Sequence, residues 1–232
     1  MFASVSRGWE DRAEGWIAWA RKPSHDAYAF FRDAMFELLP PPPGRALEVG
    51  CGEGRVCRDL RGRGYDVVGL DAAPTLVDAA RASDDRGEYV VGSAEELPFP
   101  GAVFDLVVAY NSLMDVADMP GAIAEAARVL RPGGALVACV THPIRARGFW
   151  EETQNGDRYV VERPYFEAYE YVFHAARDGL EFTFQSRTYP LRDYAAALER
   201  AGLVIEALRE PEGLDAHDRF IPEFLMFRAT KQ

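Results

Sequence analysis

Three glycines alternate at Gly50, Gly52 and Gly54, directly after a short apolar run. A glycine-rich turn between a strand and a helix lets backbone N–H groups approach a ligand closely, and nucleotides are often bound in this way. The spacing is G-x-G-x-G, and Arg55 and Val56 follow without the third glycine of the G-x-G-x-x-G dinucleotide fingerprint. We therefore expect a nucleoside-containing ligand other than NAD.

Two carboxylates stand near this turn. Glu48 precedes the glycines, and Asp71 lies at the end of the next predicted strand. A carboxylate beside the turn would repel a phosphate and suits a positively charged ligand, whereas the oxygens of Asp71 can accept both hydroxyls of a ribose. S-adenosylmethionine (SAM) has an amino group, a sulfonium and a ribose, so the turn and the two acids together predict a SAM site.

Methyl transfer from a sulfonium requires a positioned nucleophile and sometimes a base. His142 follows the fifth predicted strand, and an ordinary imidazole pKa of about 6.5 suits a base at neutral pH. Asp115 follows the fourth predicted strand and is the second catalytic candidate. Each residue has a structural alternative, as a turn residue for His142 and as a helix cap or loop acid for Asp115.

Aromatic residues outside the predicted sheet are candidates for contact with the methyl acceptor, although aromatics at helical spacing are more often plain core. We interpret Cys51 as a small wall residue of the turn, and we expect no metal because no two histidines combine with an acid at ligand spacing. The predicted acceptor-contact residues are Trp19, His25, Tyr28, His142, Trp150 and Tyr165.

Strands and helices alternate from residue 45 onward, which predicts a doubly wound parallel α/β sheet. The fourth strand is almost wholly apolar, as a strand buried on both faces should be. The predicted strands are 45–49, 66–70, 88–91, 104–109, 135–140, 203–208 and 224–229, and the helices between them are 55–63, 75–81, 120–130 and 191–201.

Two segments fall outside this alternation. Residues 1–43 predict a helical cap of two helices, broken at Pro23 and capped again at Ser24, and the prolines 40–43 form a stiff joint. The remaining residues, 44–232, form the SAM-binding domain. Within it, residues 144–190 predict an inserted lid that contains a hairpin with its turn at Asp178 and Gly179.

Composition narrows the classes of molecule that the chain is expected to bind. The 232-residue chain has a net charge of −11 and a pI near 4.9, which argues against a sequence-independent grip on nucleic acid or anionic membranes. It has no apolar run of the ~20 residues that a membrane span needs and no signal-peptide pattern at its start. Three cysteines without C-x-x-C spacing favour a reducing cytoplasm. We expect a cytoplasmic monomer or homodimer.

Five segments between residues 45 and 140 resemble, in order and spacing, the successive motifs of class I SAM-dependent methyltransferases of the small-molecule type (methyltransferase domain 11/25-like). They are L-E-V-G-C-G-E-G-R, G-L-D-A-A-P, G-S-A-E-E-L-P-F, F-D-L-V-V-A-Y-N-S-L and A-R-V-L-R-P-G-G. The resemblance implies a Rossmann-like seven-stranded sheet whose last strand runs antiparallel between the fifth and sixth strands.

The resemblance also implies site residues. The turn should line the methionine part of SAM, Asp71 should hold the ribose, Ala94 and Glu95 should flank the adenine, and Tyr110 and Asn111 should lie near the methionine end. Ser93 stands where the family often has Asp, which opens the adenine N6 contact to Ser93, Glu95 or water. The predicted cofactor residues are Glu48, Gly50, Cys51, Gly52, Gly54, Asp71, Ala72, Ser93, Ala94, Glu95, Tyr110 and Asn111.

The predicted activity is methyl transfer from SAM to oxygen or nitrogen of a small, aromatic molecule, with S-adenosylhomocysteine as product. Nucleic-acid amino-methyltransferases of this fold often have N-P-P-Y or D-P-P-Y after the fourth strand, whereas this chain has Y-N-S-L. A helical cap and an insertion after the fifth strand are typical of the small-molecule enzymes. The alternatives are a protein or peptide methyltransferase and a SAM-binding protein without transfer activity.

Overall fold

The computed structural model describes residues 8–22, 27–154, 156–213 and 216–232. Its helices are α1 (Gly8–Ala20), α2 (Tyr28–Phe36), α3 (Arg55–Gly62), α4 (Pro74–Ser83), α5 (Met119–Val129) and α6 (Leu191–Arg200). Its strands are β1 (Arg45–Val49), β2 (Asp66–Asp71), β3 (Glu88–Val91), β4 (Phe104–Tyr110), β5 (Leu130–Thr141), β6 (Gly148–Glu151), β7 (Arg158–Val161), β8 (Tyr169–Arg177), β9 (Leu180–Thr188), β10 (Leu203–Arg209) and β11 (Phe224–Lys231).

Seven strands form one sheet in the order β10-β11-β5-β4-β1-β2-β3. The strands β1 to β5 are parallel, and β11 pairs antiparallel with both β5 and β10. This arrangement confirms the predicted α/β class and the antiparallel last strand. The order of the parallel strands reverses between β1 and β4, and ligands bind open sheets of this kind beyond the strand ends at such a point.

Helices cover both faces of the sheet. The strands β1 and β4 lie in its middle, and six of the seven residues of β4 are buried, which explains the continuous apolar run. On one face α5 and α6 pack over Leu47, Phe104 and Leu136, and on the other α2, α3 and α4 pack over Ala46 and Leu106. The two cores together hold the glycine turn in place at the carboxyl edge.

Helix α1 lies across this edge and is tied to the sheet domain by polar contacts. Glu10 accepts hydrogen bonds from the backbone N–H and the hydroxyl of Thr75, at 3.2 and 2.6 Å, where α4 begins. Arg21, just beyond the end of α1, lies 3.5 Å from the buried carboxylate of Glu53, which follows the glycine turn. The helix is therefore fixed close to the glycine turn at both ends.

The segment between β5 and α6 holds two antiparallel hairpins, β6–β7 and β8–β9. The second is the hairpin predicted around Asp178 and Gly179, and both residues have positive φ there. The first was not predicted: its strands have four residues each, and the Asn-Gly dipeptide at 155–156 stands within a six-residue connection, longer than the two-residue turn that this dipeptide usually signals. The fully buried Arg147 donates to the carbonyls of Pro143 and Glu167 and so ties this segment together.

Most element boundaries agree with the prediction to within a few residues. Strand β5 begins at Leu130 instead of residue 135, because Leu130 already pairs with Phe104 before the register shifts. Pro23, Ser24 and His25 lie outside the described residues, so the cap at Ser24 and the site role of His25 stay predictions. Among the described residues, no helix is both long enough and apolar enough to cross a membrane.

Candidate active site

A cavity of ≈ 1020 Å³ opens at the carboxyl edge of the sheet. Its walls come mainly from α1 and α2, the segments after β1, β2, β3 and β4, the end of β5, the two hairpins and the start of β11. Sites for a single small ligand measure about 300–1,000 Å³. This cavity lies at the upper end of that range, so it has room for a nucleoside cofactor and a second small molecule.

The glycine turn forms the floor of the cavity. Gly50 has φ +74°, and a Cβ there would lie 2.4 Å from the Cβ of Ser112, whose hydroxyl donates to the carbonyl of Val49 at 2.6 Å. Gly52 has φ +54°, and a Cβ there would lie 3.2 Å from Nε1 of Trp16. Both positions therefore require glycine, and both bring bare backbone to the cavity.

Asp71 joins the turns after β1 and β2. Its Oδ2 accepts from the backbone N–H of Gly52 at 2.8 Å, and its Oδ1 accepts from that of Ala73 at 2.9 Å. Burial raises the pKa of this carboxyl, and the backbone N–H groups oppose the rise. Because each carboxylate oxygen has two lone pairs, Asp71 keeps acceptor capacity toward the cavity that it lines.

Three predicted cofactor residues do not border the cavity: Glu48, which lies beneath the turn, and Cys51 and Gly54, which belong to the turn. Glu48 is almost fully buried and accepts from the thiol of Cys57 at 2.9 Å, and burial raises its pKa well above the ordinary value. Glu48 supports the turn from below, and the structure does not bring it to the position of a direct ligand contact.

The predicted adenine contacts lie together on another wall of the cavity, formed by Ala72, Ser93, Ala94 and Glu95. The hydroxyl of Ser93 donates to Oε2 of Glu95 at 2.5 Å. Oε1 of Glu95 accepts from the backbone N–H of Ala117 at 2.8 Å, so the loop after β4 is fastened to this wall. Ser93 takes the place of the expected Asp, and its hydroxyl and the Glu95 carboxylate form one polar unit.

Asn111 leaves a buried acceptor without a partner among the described residues. It follows β4 with φ +52°, a conformation that asparagine tolerates better than most residues, and its backbone N–H donates to Cys139 at 2.9 Å. Its side-chain Oδ1 is buried and makes no hydrogen bond, and the residue lines the cavity next to Tyr110. A buried acceptor without a partner is costly, so a ligand N–H or O–H donor is expected here.

Arg55, the first residue of α3, also lines the cavity. Its guanidinium carbon lies 4.5 Å from the ring centroid of Tyr28 and 5.2 Å from that of Trp16. A cation at a helix N-terminus opposes the helix dipole, which is an indication in the sequence that the residue serves another purpose. Here it is held over aromatic rings, next to the glycine turn, where it can meet an anionic group of a ligand.

Aromatic side chains form much of the remaining wall. Trp16 and Trp19 of α1 pack against Phe184 of β9, with ring centroids 6.0 and 6.3 Å away. Trp150 of β6 stacks on His217 at 4.1 Å. Of the predicted acceptor-contact residues, the cavity brings together Trp19, Tyr28 and Trp150.

Asp115 lies on the loop after β4 and lines the same cavity. Its Oδ1 accepts from the hydroxyl of Ser186 at 2.6 Å. Burial raises the pKa of this carboxyl to about 7, although Ser186, the Arg12 guanidinium and the Trp9 indole favour the ionised form. A carboxyl with a pKa close to neutral pH is suited to proton transfer.

His142 and Tyr165 are not among the described residues that line the cavity. Nε2 of His142 lies 2.9 Å from a carboxylate oxygen of Glu210, and its Nδ1 accepts from the backbone N–H of Ile144 at 3.3 Å. The hydroxyl of Tyr165 accepts from the backbone N–H of Leu191 at 3.1 Å. Both side chains hold loops together at positions away from the cavity wall.

The residues around the cavity fit SAM. The bare backbone at Gly50 and Gly52 gives close approach, Asp71 has acceptor capacity for ribose hydroxyls, and the unpartnered Oδ1 of Asn111 suits an ammonium donor. Arg55 adds a cation for a carboxylate. These features match the two ends of an amino-acid nucleoside and provide no cradle for a pyrophosphate.

Comparisons with known proteins decide the family. Residues 47–138 match the family model described as a methyltransferase domain. A solved S-adenosylmethionine-dependent methyltransferase from Mesorhizobium loti is 25% identical, with a TM-score of 0.74 over 87% of this chain and 97% of that chain. The chain carries a class I SAM-dependent methyltransferase domain.

Curated relatives match about half of this chain. A malonyl-[acyl-carrier protein] O-methyltransferase of Serratia marcescens is 38% identical over 119 residues, which are 49% of this chain and 47% of that protein. A demethylmenaquinone methyltransferase of Tropheryma whipplei is 35% identical over 121 residues, 50% of this chain and 51% of the relative. The chain thus spans about half the length of these relatives.

Several residues line the cavity without having been predicted. They are Thr141, Tyr171, Ser186 and Glu223, which come from strand ends and from the second hairpin, and the last three lie far along the chain from the motifs. Their residue types are common on any protein surface, so no sequence pattern distinguishes them. For Arg55, the unfavourable position of a cation at the N-terminus of helix α3 was an indication in the sequence that the residue lines a site.

Proposed function

We propose that this chain uses SAM to methylate a hydroxyl oxygen of a small, largely aromatic molecule, with Asp115 as the base. The observation that carries the proposal is the presence of Asp115, a carboxyl with a pKa raised to about 7, in the same cavity as Gly50, Gly52 and Asp71. A residue that removes a proton and residues that fit a SAM cofactor thus share one enclosed space.

The cofactor side of the proposal assigns a role to each residue. Asp71 holds the ribose, and the wall of Ser93, Ala94 and Glu95 faces the adenine. Asn111 accepts from the amino group of the methionine part, with Arg55 near its carboxylate. When bound, SAM supplies the methyl group of its sulfonium. The sulfur keeps the bonding electrons and leaves as the neutral thioether S-adenosylhomocysteine.

The acceptor side uses the rest of the cavity. Residues 1–43 act as a cap and residues 144–190 as a lid, and together they exclude water from the reacting groups. Trp16, Trp19 and Phe184 offer flat apolar surface for a planar acceptor. Asp115 accepts the acceptor's hydroxyl proton, because its two oxygens have more lone pairs than the hydrogen bonds from Ser186 and Trp9 use.

The proposal favours a small molecule over a protein or peptide. The cavity is roofed by α1 and by the second hairpin, and the backbone N–H of Arg187 donates to the carbonyl of Met114 at 2.9 Å across its rim. An extended peptide would need an open groove at this place. Of the relatives' names, that of the malonyl-[acyl-carrier protein] O-methyltransferase specifies transfer to oxygen, that of the demethylmenaquinone methyltransferase does not, and neither identifies this acceptor.

The test begins with calorimetric titration of SAM, S-adenosylhomocysteine and NAD. We expect binding of the first two and none of NAD. The protein with methyl-labelled SAM is then offered phenols, aliphatic alcohols, carboxylic acids, amines and a protein extract, and products are identified by mass. Label on phenols supports the proposal, whereas label on protein alone, or SAM binding with no labelled product, supports one of the two alternatives.

A further inference from the structure

The second hairpin presents two hydroxyl groups to Asp115. Tyr171 of β8 and Ser186 of β9 are direct cross-strand partners, and both line the cavity. The hydroxyl of Ser186 donates to Oδ1 of Asp115 at 2.6 Å, and the Tyr171 hydroxyl interacts with the hydroxyls of Ser186 and Thr141. A chain of hydroxyls therefore leads from the lid to the carboxylate on the sheet domain.

The hydrogen-bonding capacity of serine fixes the direction of this chain. A serine hydroxyl has one proton to donate and two lone pairs to accept with. Because the proton of Ser186 goes to Asp115, Ser186 has only lone pairs left to offer to the neighbouring phenol of Tyr171. Burial raises the pKa of Tyr171, so its phenol keeps its proton at neutral pH and remains a donor.

The contact depends on how the hairpin is seated. Next to Ser186, the backbone N–H of Arg187 donates to the carbonyl of Met114 at 2.9 Å, one residue before Asp115. On the other side, the side-chain oxygen of Gln185 accepts from Arg12 of α1 at 3.0 Å. Three successive residues of β9 thus connect the lid, the cap helix and the loop that carries Asp115.

We propose that Ser186 and Tyr171 are positioning residues through which the closed lid orients Asp115 and holds it ionised, so that its carboxylate can accept the proton of the acceptor hydroxyl. This inference rests on the proposed role of Asp115 as base. The hairpin is then part of the reacting apparatus as well as a cover, since opening it removes the hydroxyl donor from Oδ1. Ser186 and Tyr171 themselves need not touch the acceptor.

Other groups also act on the ionisation of Asp115, and a test must hold them constant. Ser186 supplies the direct hydrogen bond from β9, and α1 supplies favourable interactions. The groups that face Asp115 from the elements packed around it are Trp9 and Arg12 of α1, Asp71 of β2, Tyr171 of β8, Ser186 of β9 and Tyr194 of α6, and Asp11 of α1 acts on Arg12 in turn.

The test measures the free energy of unfolding as a function of pH, without SAM or acceptor. An unfolded Asp ionises near pH 4. A folded Asp115 with a higher pKa keeps its proton to a higher pH than the unfolded chain does. Wild type should therefore lose stability relative to Asp115→Asn as the pH rises from about 4, and the loss should end near the folded pKa of about 7. The pH at which the loss ends, called the upper end below, reports the pKa of Asp115 in the folded protein.

Ser186→Ala removes the hydroxyl that favours the ionised form, so the upper end should move about one to two pH units higher, measured against Ser186→Ala/Asp115→Asn. Ser186→Thr retains a hydroxyl and should restore the wild-type value. Thr183→Ala is the matched control on β9, because Thr183 contacts His174 and does not line the cavity, and it should change nothing.

An unchanged upper end in Ser186→Ala would overturn the inference. If Ser186→Ala does not fold, Tyr171→Phe, measured against Tyr171→Phe/Asp115→Asn, gives the same information through a smaller upward shift, and no shift there has the same meaning. If wild type and Asp115→Asn show no pH-dependent difference, the premise of a perturbed Asp115 fails as well. Loss of methyl transfer with these shifts intact would count only against the proposed function.

Discussion

The hydroxyl of Ser186 lies 2.6 Å from Oδ1 of Asp115, although the two residues are 71 positions apart in the chain. Asp115 belongs to the loop after β4, and Ser186 belongs to the inserted second hairpin. Their contact joins the loop after β4 to the second hairpin at the cavity. It also gives Asp115 two properties expected of a base, a fixed orientation and partial exclusion from water.

We predict that Asp115→Asn lowers kcat for a hydroxyl acceptor by about 10²–10⁴-fold, the range typical of a lost general base. SAM affinity should change little, because the amide has nearly the same shape. In wild type, kcat should rise with pH through about 7, since only the ionised carboxylate accepts a proton. Steady-state rates from pH 5 to 9 measure both effects.

A matched comparison uses His142→Ala. The ring of His142 pairs with Glu210 at 2.9 Å and does not border the cavity among the described residues, so its loss should lower kcat by less than about tenfold. A large loss in His142→Ala together with a small loss in Asp115→Asn would transfer the role of base to His142.

Asp71→Asn should weaken SAM binding by roughly 10–150-fold, which corresponds to about 1.5–3 kcal/mol for hydrogen bonds to a charged group. The amide also donates where Oδ2 now accepts from the N–H of Gly52 at 2.8 Å, so the melting temperature should fall. Asp66→Asn, at the exposed start of the same strand, is the control for both readouts. SAM affinity equal to that of wild type would show that Asp71 does not hold the ribose.

Gly52→Val should abolish measurable SAM binding while the protein still folds. A β-branched residue at φ +54° costs about 1–3 kcal/mol, which a domain of ordinary stability tolerates. Its side chain would also meet Trp16 and fill the space over the turn. Gly62→Ala is the control, because a Cβ at Gly62 meets nothing within 4 Å. Normal SAM titration of folded Gly52→Val would mean that the turn does not face the cofactor.

The lid should become more resistant to protease when both ligands are bound. The side chain of Arg158 is 68% exposed, so trypsin can reach it in the free protein. Cleavage after Arg158 should slow when SAM and a phenolic acceptor are added together, because ligands that contact the lid favour its closed form. Equal cleavage rates in both states, followed by gel and mass analysis, would argue against closure.

The residues proposed to bind the cofactor could be predicted from local sequence. The glycine turn and Asp71 are close in sequence and use residue types with narrow backbone or charge requirements, so their positions could be predicted. The same holds for the alternating strands and helices, including the buried β4. The antiparallel last strand came from the resemblance to the family and could not be worked out from hydrophobic pattern alone.

The acceptor side depended on contacts between distant segments. Glu48 lies beneath the turn because its partner is Cys57 of α3, and His142 faces Glu210 beyond β10. Neither pairing is visible in a local pattern. The contact between Asp115 and Ser186 requires the hairpin to fold back over the sheet edge, so the sequence indicated Asp115 as a candidate and gave no information on its partners.

The most direct test of the account is transfer of an isotopically labelled methyl group from SAM to a matched pair of acceptors, 2-naphthol and 2-naphthylamine, which differ only in the accepting atom. Product mass should show O-methylation of the naphthol, an increase in its rate with pH through about 7, and loss of most of that rate in Asp115→Asn. Transfer to the amine alone, or transfer to the naphthol at an undiminished rate in Asp115→Asn, would contradict the account.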